Sequence, residues 1–182
     1  MSKIGRKPID IKGVQVTVTG QTIQFKGPKA SGTHELPEGL QAVVEGDKFR
    51  LVPQEKDVSR KTKMNWGLHR ALLANALGGA VNPFEKQLKI TGLGFKAAQA
   101  GKRIDFTLGY SHKLAVDLPD HVTVEIDKTG QLLTFKSPDR ETLGAICDRV
   151  RSFRPPEPYK GTGIKLGDEV IIRKAGKSKA AA

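Results

Sequence analysis

From Val14 onward the chain writes one pattern twice, the copies offset by about 82 residues. That period is too long for a solenoid and right for a duplicated small domain. In the first copy Val14, Val16 and Val18 alternate with Gln15 and Thr17, the two-residue period of a half-buried strand. Gly20-Gln21 makes a tight turn, and Ile23 with Phe25 forms the answering strand. A third short strand is expected from Thr33 to Leu36, ended by Pro37. Leu40–Val44 and Phe49–Val52, joined across Glu45-Gly46-Asp47, are expected to pair antiparallel. The period then lengthens to that of a helix. Ser59 stands as its cap, Trp66, Leu72, Leu73, Ala76, Leu77 and Ala80 form its apolar side, and Lys61, Lys63 and Arg70 line a polar one. Gly78-Gly79 and Asn82-Pro83 are its expected stop. Trp66 reads as core, not as a ligand platform.

The second copy follows step by step. Leu88–Ile90 and Phe95–Ala98 flank Gly92-Leu93-Gly94, and Ile104 with Phe106 echoes Ile23 with Phe25. Leu118-Pro119-Asp120 echoes Leu36-Pro37-Glu38, Val122, Val124 and Ile126 alternate, and Leu133 with Phe135 matches Phe49 with Leu51. Leu143, Ile146, Cys147, Val150 and Phe153 then form a helical stripe, with Ser137 as expected cap and Pro138 at the first helical position. The fold class is α+β: two tandem duplicated domains, each an antiparallel sheet covered by one amphipathic helix. The expected division is a mobile basic arm at 1–12, a first domain at 13–82, a second at 83–173, and a basic tail at 174–182.

Only the second copy continues into Arg154-Pro155-Pro156-Glu157-Pro158-Tyr159-Lys160-Gly161-Thr162-Gly163-Ile164-Lys165. Its prolines fix φ and lack an N–H, so the first half cannot be helix or central strand. Gly161 and Gly163 then release the backbone. The segment 154–165 reads as a stiff extended arm ending in a flexible basic turn, projecting Arg154, Lys160 and Lys165 without secondary structure of their own. Exposed cations and glycine N–H groups suit a phosphate-rich surface. The bland reading is a solvated Pro-rich connector. A late strand, Glu169–Ile172, is expected to return the arm to the sheet, followed by Arg173, Lys174, Lys177 and Lys179 in a tail that serves either binding or solubility.

Charge narrows the partner. Thirty-one Lys and Arg face nineteen Asp and Glu, a net of +12, which opposes compactness and favours a polyanion. Both ends are basic while residues 113–141 are net acidic, so the chain has a bound side and a free side. No apolar run approaches the roughly 20 residues of a membrane span, and the charged start Met1–Lys7 has no apolar region behind it. One cysteine, Cys147, rules out an internal disulfide and fits a reducing cytosol. A membrane-surface binder is disfavoured because the cations fall in strands and tails, not along one helix face.

The proline–glycine stretch closely resembles the signature of the L-six family of bacterial large-subunit ribosomal proteins, Arg-Pro-Pro-Glu-Pro-Tyr-Lys-Gly-Lys-Gly-Ile. Thr162 stands here for a lysine, and Leu166 for the tyrosine that usually follows. Ser2–Ile9, Leu108–His112 and the repeat layout extend the resemblance over essentially the whole chain. It implies a cytoplasmic structural protein of the ribosome, contacting large-subunit (23S-type) rRNA chiefly through the second domain. That contact would lie near the stalk base and elongation-factor site, beside neighbouring ribosomal proteins there. The expected RNA-contacting residues are Arg154, Tyr159, Lys160, Gly161, Gly163, Lys165, Arg173, Lys174 and Lys177, then Lys96, Lys102, Tyr110 and His112. Tyr159 either stacks on a base or pins the arm to its own domain.

Catalytic readings fail on spacing. Gly92-Leu93-Gly94-Phe95 is followed by strand-like residues, not the helix a dinucleotide loop must open. Gly109-Tyr110-Ser111-His112 lacks the last glycine of a nucleophile elbow and is followed by strand. Cys147 lies on a buried stripe, Asp168-Glu169 has no matching base, and His34, His69, His112 and His121 are scattered without metal-ligand spacing. No enzyme activity, cofactor, metal or small-molecule substrate is implied. The rival from another class is a protein–protein adaptor using Arg154–Pro158 as a polyproline ligand for an aromatic groove.

Overall fold

The computed structural model describes residues 2–54 and 59–176. By its contacts the chain divides into two compact units, Met1–Pro83 with Pro138–Arg140, and Phe84–Ser137 with Glu141–Ala182. Each is considered by itself. The fold class is α+β with two repeats, as expected. Among the described residues, however, each repeat splits its strands between two antiparallel sheets instead of gathering them in one.

In the first unit β2 (Gln15–Thr19), β3 (Thr22–Lys26) and β4 (Ser31–Glu35) form a meander, with Thr19 opposite Thr22 across the two-residue turn. A second sheet orders β1 (Ile9–Asp10), β6 (Lys48–Pro53) and β5 (Leu40–Glu45). Helix α1 (Arg60–Val81) starts where Ser59 accepts a hydrogen bond from the Thr62 amide at 3.1 Å, the expected cap. Trp66 is core. It is 6% exposed, and its indole N–H donates to the Leu51 carbonyl at 2.8 Å. Ile9, Ile23, Leu40, Phe49, Leu51, Leu73 and Leu77 pack around it.

Two expectations are corrected here. The helix does not stop at Gly78-Gly79 but runs through both glycines to Val81. Tertiary packing overrides their low helical propensity: Gly79 and Ala80 are buried, and the Ala80 carbonyl accepts from the Lys29 amide at 3.0 Å. Nor is the start of the chain a free arm. Ile9 and Asp10 pair with Phe49 and Lys48, Gly5 lies against the Trp66 ring, and Arg70 donates to the carbonyls of Lys7 and Pro8 at 3.0 and 2.8 Å. The lack of periodicity with Gly5 and Pro8 suggested an arm, but Ile9, 6% exposed, is buried and ties it down.

In the second unit β8 (Lys96–Ala100), β9 (Arg103–Thr107) and β10 (Leu114–Asp117) repeat the meander. The other sheet orders β11 (Thr123–Ile126), β12 (Leu132–Ser137), β7 (Phe84–Thr91) and β13 (Gly163–Leu166). Helix α2 (Arg140–Phe153) buries Leu143, Ile146, Cys147 and Val150 as its stripe demands. It begins at Arg140, so Pro138 precedes it, and Ser137 is the last, buried residue of β12. The core joins Leu88, Ile90, Ile104, Phe106, Leu133, Phe135 and Ile164 to that stripe. Burial pushes the Cys147 thiol up to about 11, so it stays protonated among apolar neighbours.

Candidate nucleic-acid interface

The return strand is the main departure from the sequence-based expectation. Glu169–Ile172 is not a strand; β13 (Gly163–Leu166), six residues earlier, does the pairing. Ile164 sits opposite Ile90 and Leu166 opposite Leu88, so the one fully buried side chain of this stretch, Ile164, enters the core. Val170 and Ile172 are left 87% and 85% exposed. Burial decided the register: the apolar run further along is reached too late to meet β7.

With β13 fixed, the proline stretch cannot remain an extended arm. It closes into a loop. The Ile164 amide donates to the Arg154 carbonyl at 2.8 Å, and the Glu157 amide donates to the Thr162 carbonyl at 2.9 Å. The Gly161 amide donates to the Glu157 carbonyl at 2.9 Å, around a turn at Pro158–Lys160. Gly163 makes the closure possible. At φ +138°, a Cβ there would lie 2.7 Å from the Pro155 carbonyl oxygen and 2.8 Å from that of Arg154. Thr162 donates its hydroxyl to Glu157 at 3.0 Å, which gives this departure from the family pattern a place inside the loop. Leu166, the other departure, packs against the core.

The expected contact residues therefore divide. Tyr159 and Lys160 are exposed at the loop tip. The Tyr159 hydroxyl has no hydrogen-bond partner among the described residues and the residue is 54% exposed, so the pinning role finds no support in the geometry. Arg173 and Lys174 are exposed and folded back onto the tip. The Lys174 amide donates to the Pro158 carbonyl at 2.9 Å, and the Arg173 guanidinium lies beside Gly161. None of Lys160, Arg173 and Lys174 has an acidic ion-pair partner among the described residues. A shallow groove of about 290 Å³ beside them is lined by Thr91, Gly161, Lys165 and Arg173 together with the acids Asp168 and Glu169.

Other members turn inward. Gly161 and Gly163 are buried, and the Gly161 N–H is spent on Glu157, so these glycines shape the loop instead of offering free donors. Lys165 lies in β13 and donates to the Glu169 carbonyl at 3.3 Å. Arg154 is half-buried: it donates to the Leu108 carbonyl at 3.1 Å and lies over the rings of Phe95 and Tyr110. Lys96 opens β8 opposite Thr107, at the same end of the meander as Leu108–His112. Lys102 sits at the β8–β9 turn, the other end of β9, and pairs with Asp120. The whole of β9, four strand steps or roughly 13 Å, lies between it and the end that carries Leu108 and Arg154. Lys177 lies outside the described residues.

Three features escaped the sequence reading. Arg151 of α2 grips Glu169 along one guanidinium edge, Nε and Nη2 donating at 3.1 and 2.6 Å, and Glu169 also accepts from the Leu166 amide at 3.1 Å. The Arg151 bond holds that carboxyl below the usual carboxylate range. Leu93 stands fully exposed on the Gly92–Gly94 loop. In the first unit His34 and His69, thirty-five positions apart, meet at 2.9 Å between Nε2 and Nδ1. Burial, chiefly, holds both imidazoles below their ordinary value. Among the described residues no three His, Cys, Asp or Glu side chains gather where they could hold a metal ion. No helix there is long and apolar enough to cross a membrane.

These features define a class of protein: an α+β duplication in which one repeat alone carries a closed, cation-tipped proline–glycine loop. The family model described as Ribosomal protein L6 matches residues 12–79 and 91–167, one segment in each repeat. Over all 182 residues of both chains the sequence is 45% identical to "Large ribosomal subunit protein uL6" of Anaeromyxobacter dehalogenans (strain 2CP-1 / ATCC BAA-258). The protein of that name from Bifidobacterium animalis subsp. lactis (strain AD011) is 42% identical over 97% of this chain and 98% of its own. That of Campylobacter hominis is 40% identical over 98% of each. The chain belongs to the ribosomal protein L6 family.

Proposed function

We propose that this protein is a structural, non-catalytic component of the large ribosomal subunit in the cytoplasm. It binds large-subunit rRNA mainly through its second domain, near the stalk base and the elongation-factor site, beside neighbouring ribosomal proteins. The names of its relatives support the subunit, and the resemblance of the proline–glycine segment supports the location. The observation that carries RNA binding is the folding of Arg173 and Lys174 onto the Tyr159–Lys160 tip, which concentrates cations that have no acidic ion-pair partner among the described residues. Bringing like charges together costs free energy in the isolated protein, and a phosphate backbone repays it by releasing condensed counterions. Gly161, Gly163, Arg154 and Lys165 serve the site by holding the loop's shape. Lys96, Tyr110 and His112 extend it along the neighbouring end of the β8–β10 meander, Lys177 continues the cationic tail, and Lys102 is a separate, weaker contact. A polyproline ligand must offer a free extended segment; here Arg154 and Glu157 are tied across the loop, which favours RNA over the adaptor reading.

Titration against large-subunit rRNA over a salt series tests this, with tRNA and duplex DNA as competitors. Lys160→Ala with Lys174→Ala should weaken binding and lower the magnitude of the log–log salt slope by about 1.5 to 2. An unchanged slope removes these lysines from the interface, and equal binding to every competitor reduces the site to bulk charge.

A further inference from the structure

Four side chains beside the proline–glycine loop form a continuous stack that the cationic tip does not explain. Gly109 turns the chain at φ +75°, and a Cβ there would lie 3.0 Å from the Phe95 ring. The ring packs on bare backbone. The Arg154 guanidinium, held by the Leu108 carbonyl, lies 5.2 Å from the Phe95 centroid and 5.0 Å from that of Tyr110. Tyr110 is fixed again at its far end, where its hydroxyl donates to the Phe153 carbonyl at 3.0 Å. His112 stacks on Tyr110, with centroids 5.8 Å apart and planes 24° apart.

The outer members are not core. Tyr110 is 43% exposed, His112 is exposed, and the His112 ring makes no hydrogen bond among the described residues. Two interactions therefore hold a surface tyrosine rigid while it buries only part of its ring. An imidazole then extends the stack toward solvent. Such a prearranged ring column is a place for one more planar group. In an A-form duplex the base faces are already covered, so only a base from a loop, bulge or single strand can supply it.

We infer that His112, the outer end of the Phe95–Arg154–Tyr110–His112 stack, receives the face of an unpaired nucleobase. This rests on the RNA-binding reading and adds to it a contact of a different kind, one that depends on ring overlap instead of phosphate charge. With aromatic residues only 5% of the chain, this is a ledge for one base and not an extended platform.

The test uses full-length protein and large-subunit rRNA, comparing His112→Ala, His112→Phe and the Lys160→Ala/Lys174→Ala pair, each first checked for an unchanged melting curve. His112→Ala is expected to weaken binding about 5- to 100-fold with the salt slope unchanged, and His112→Phe to restore it. Ultraviolet cross-linking of the wild-type complex should leave a nucleotide on the peptide containing Tyr110 and His112. Wild-type affinity in His112→Ala, with a slope still flattened by the lysine pair, rejects the ledge and keeps the RNA site. Equal loss in His112→Ala and His112→Phe assigns the residue a polar contact and also rejects the ledge. No binding by the wild type removes both readings.

Discussion

The two repeats use the same order of strands and helix, yet their sheets end differently. In the first, β7's counterpart is β1, two residues long and the last strand on its side of the sheet. In the second, β7 runs for eight residues and is paired on both sides, by β12 and by β13. The extra strand is what brings the proline–glycine loop back and positions the cations around it. Duplication thus supplied two similar scaffolds. The proline–glycine loop closes where one of them keeps a long strand available for a partner from beyond its helix.

That difference can be broken most severely at Gly163. Replacing it with valine forces a side chain into the Pro155 and Arg154 carbonyls and should cost the second domain about 2–4 kcal/mol. The single tryptophan, Trp66, lies in the first domain, so its fluorescence in a urea titration should hardly move while the circular-dichroism transition of the second domain shifts to lower denaturant. A matching shift in both signals would mean that the repeats do not unfold separately.

A smaller effect is expected at the clamp between α2 and the segment after β13. Arg151→Ala removes a bidentate contact to Glu169 that is partly open to solvent, worth about 1 kcal/mol. Hydrogen exchange at Ile164 and Leu166 should quicken more than at Leu133 in β12. The clamp also has a pH signature. Because folding lowers the Glu169 pKa, its contribution is complete above the ordinary glutamate pKa and is lost as pH falls through the depressed folded value. The protection factor at Leu166 in the wild type should fall over that acidic range, and Arg151→Ala should remove the fall.

The smallest effect sharpens the comparison from the other side. His34 and His69 have lowered pKa values, so below about pH 6.5 the unfolded chain takes up protons before the folded one does. The first domain should lose stability as pH falls through that region, read from Trp66 fluorescence, while the second does not share the cause. His34→Gln should flatten the dependence. An identical pH profile in wild type and variant would acquit the pair.

What could be read from the sequence was local. Alternation at Val14–Val18 and Val122–Ile126, the helical stripe Leu143–Phe153 and the Ser59 cap all depend on neighbours a few residues away. Pairings between distant segments were not legible. Gly163–Leu166 and Glu169–Ile172 are both short apolar runs, and only the room beside β7 decides between them. Arg154 carries no local mark that its charge will lie over Phe95 and Tyr110 instead of projecting outward. His34 and His69 look unrelated until β4 and α1 meet.

The pairing of residue 163 with residue 91 also has a consequence for synthesis. The meanders β2–β4 and β8–β10 close between neighbouring segments and can form while translation continues, whereas the edge of β7 must wait until β13 has left the ribosome making it. The loop tip is shaped only once that strand docks. A nascent chain interrupted after α2 would hold both helices and nearly all its core, yet present no finished tip.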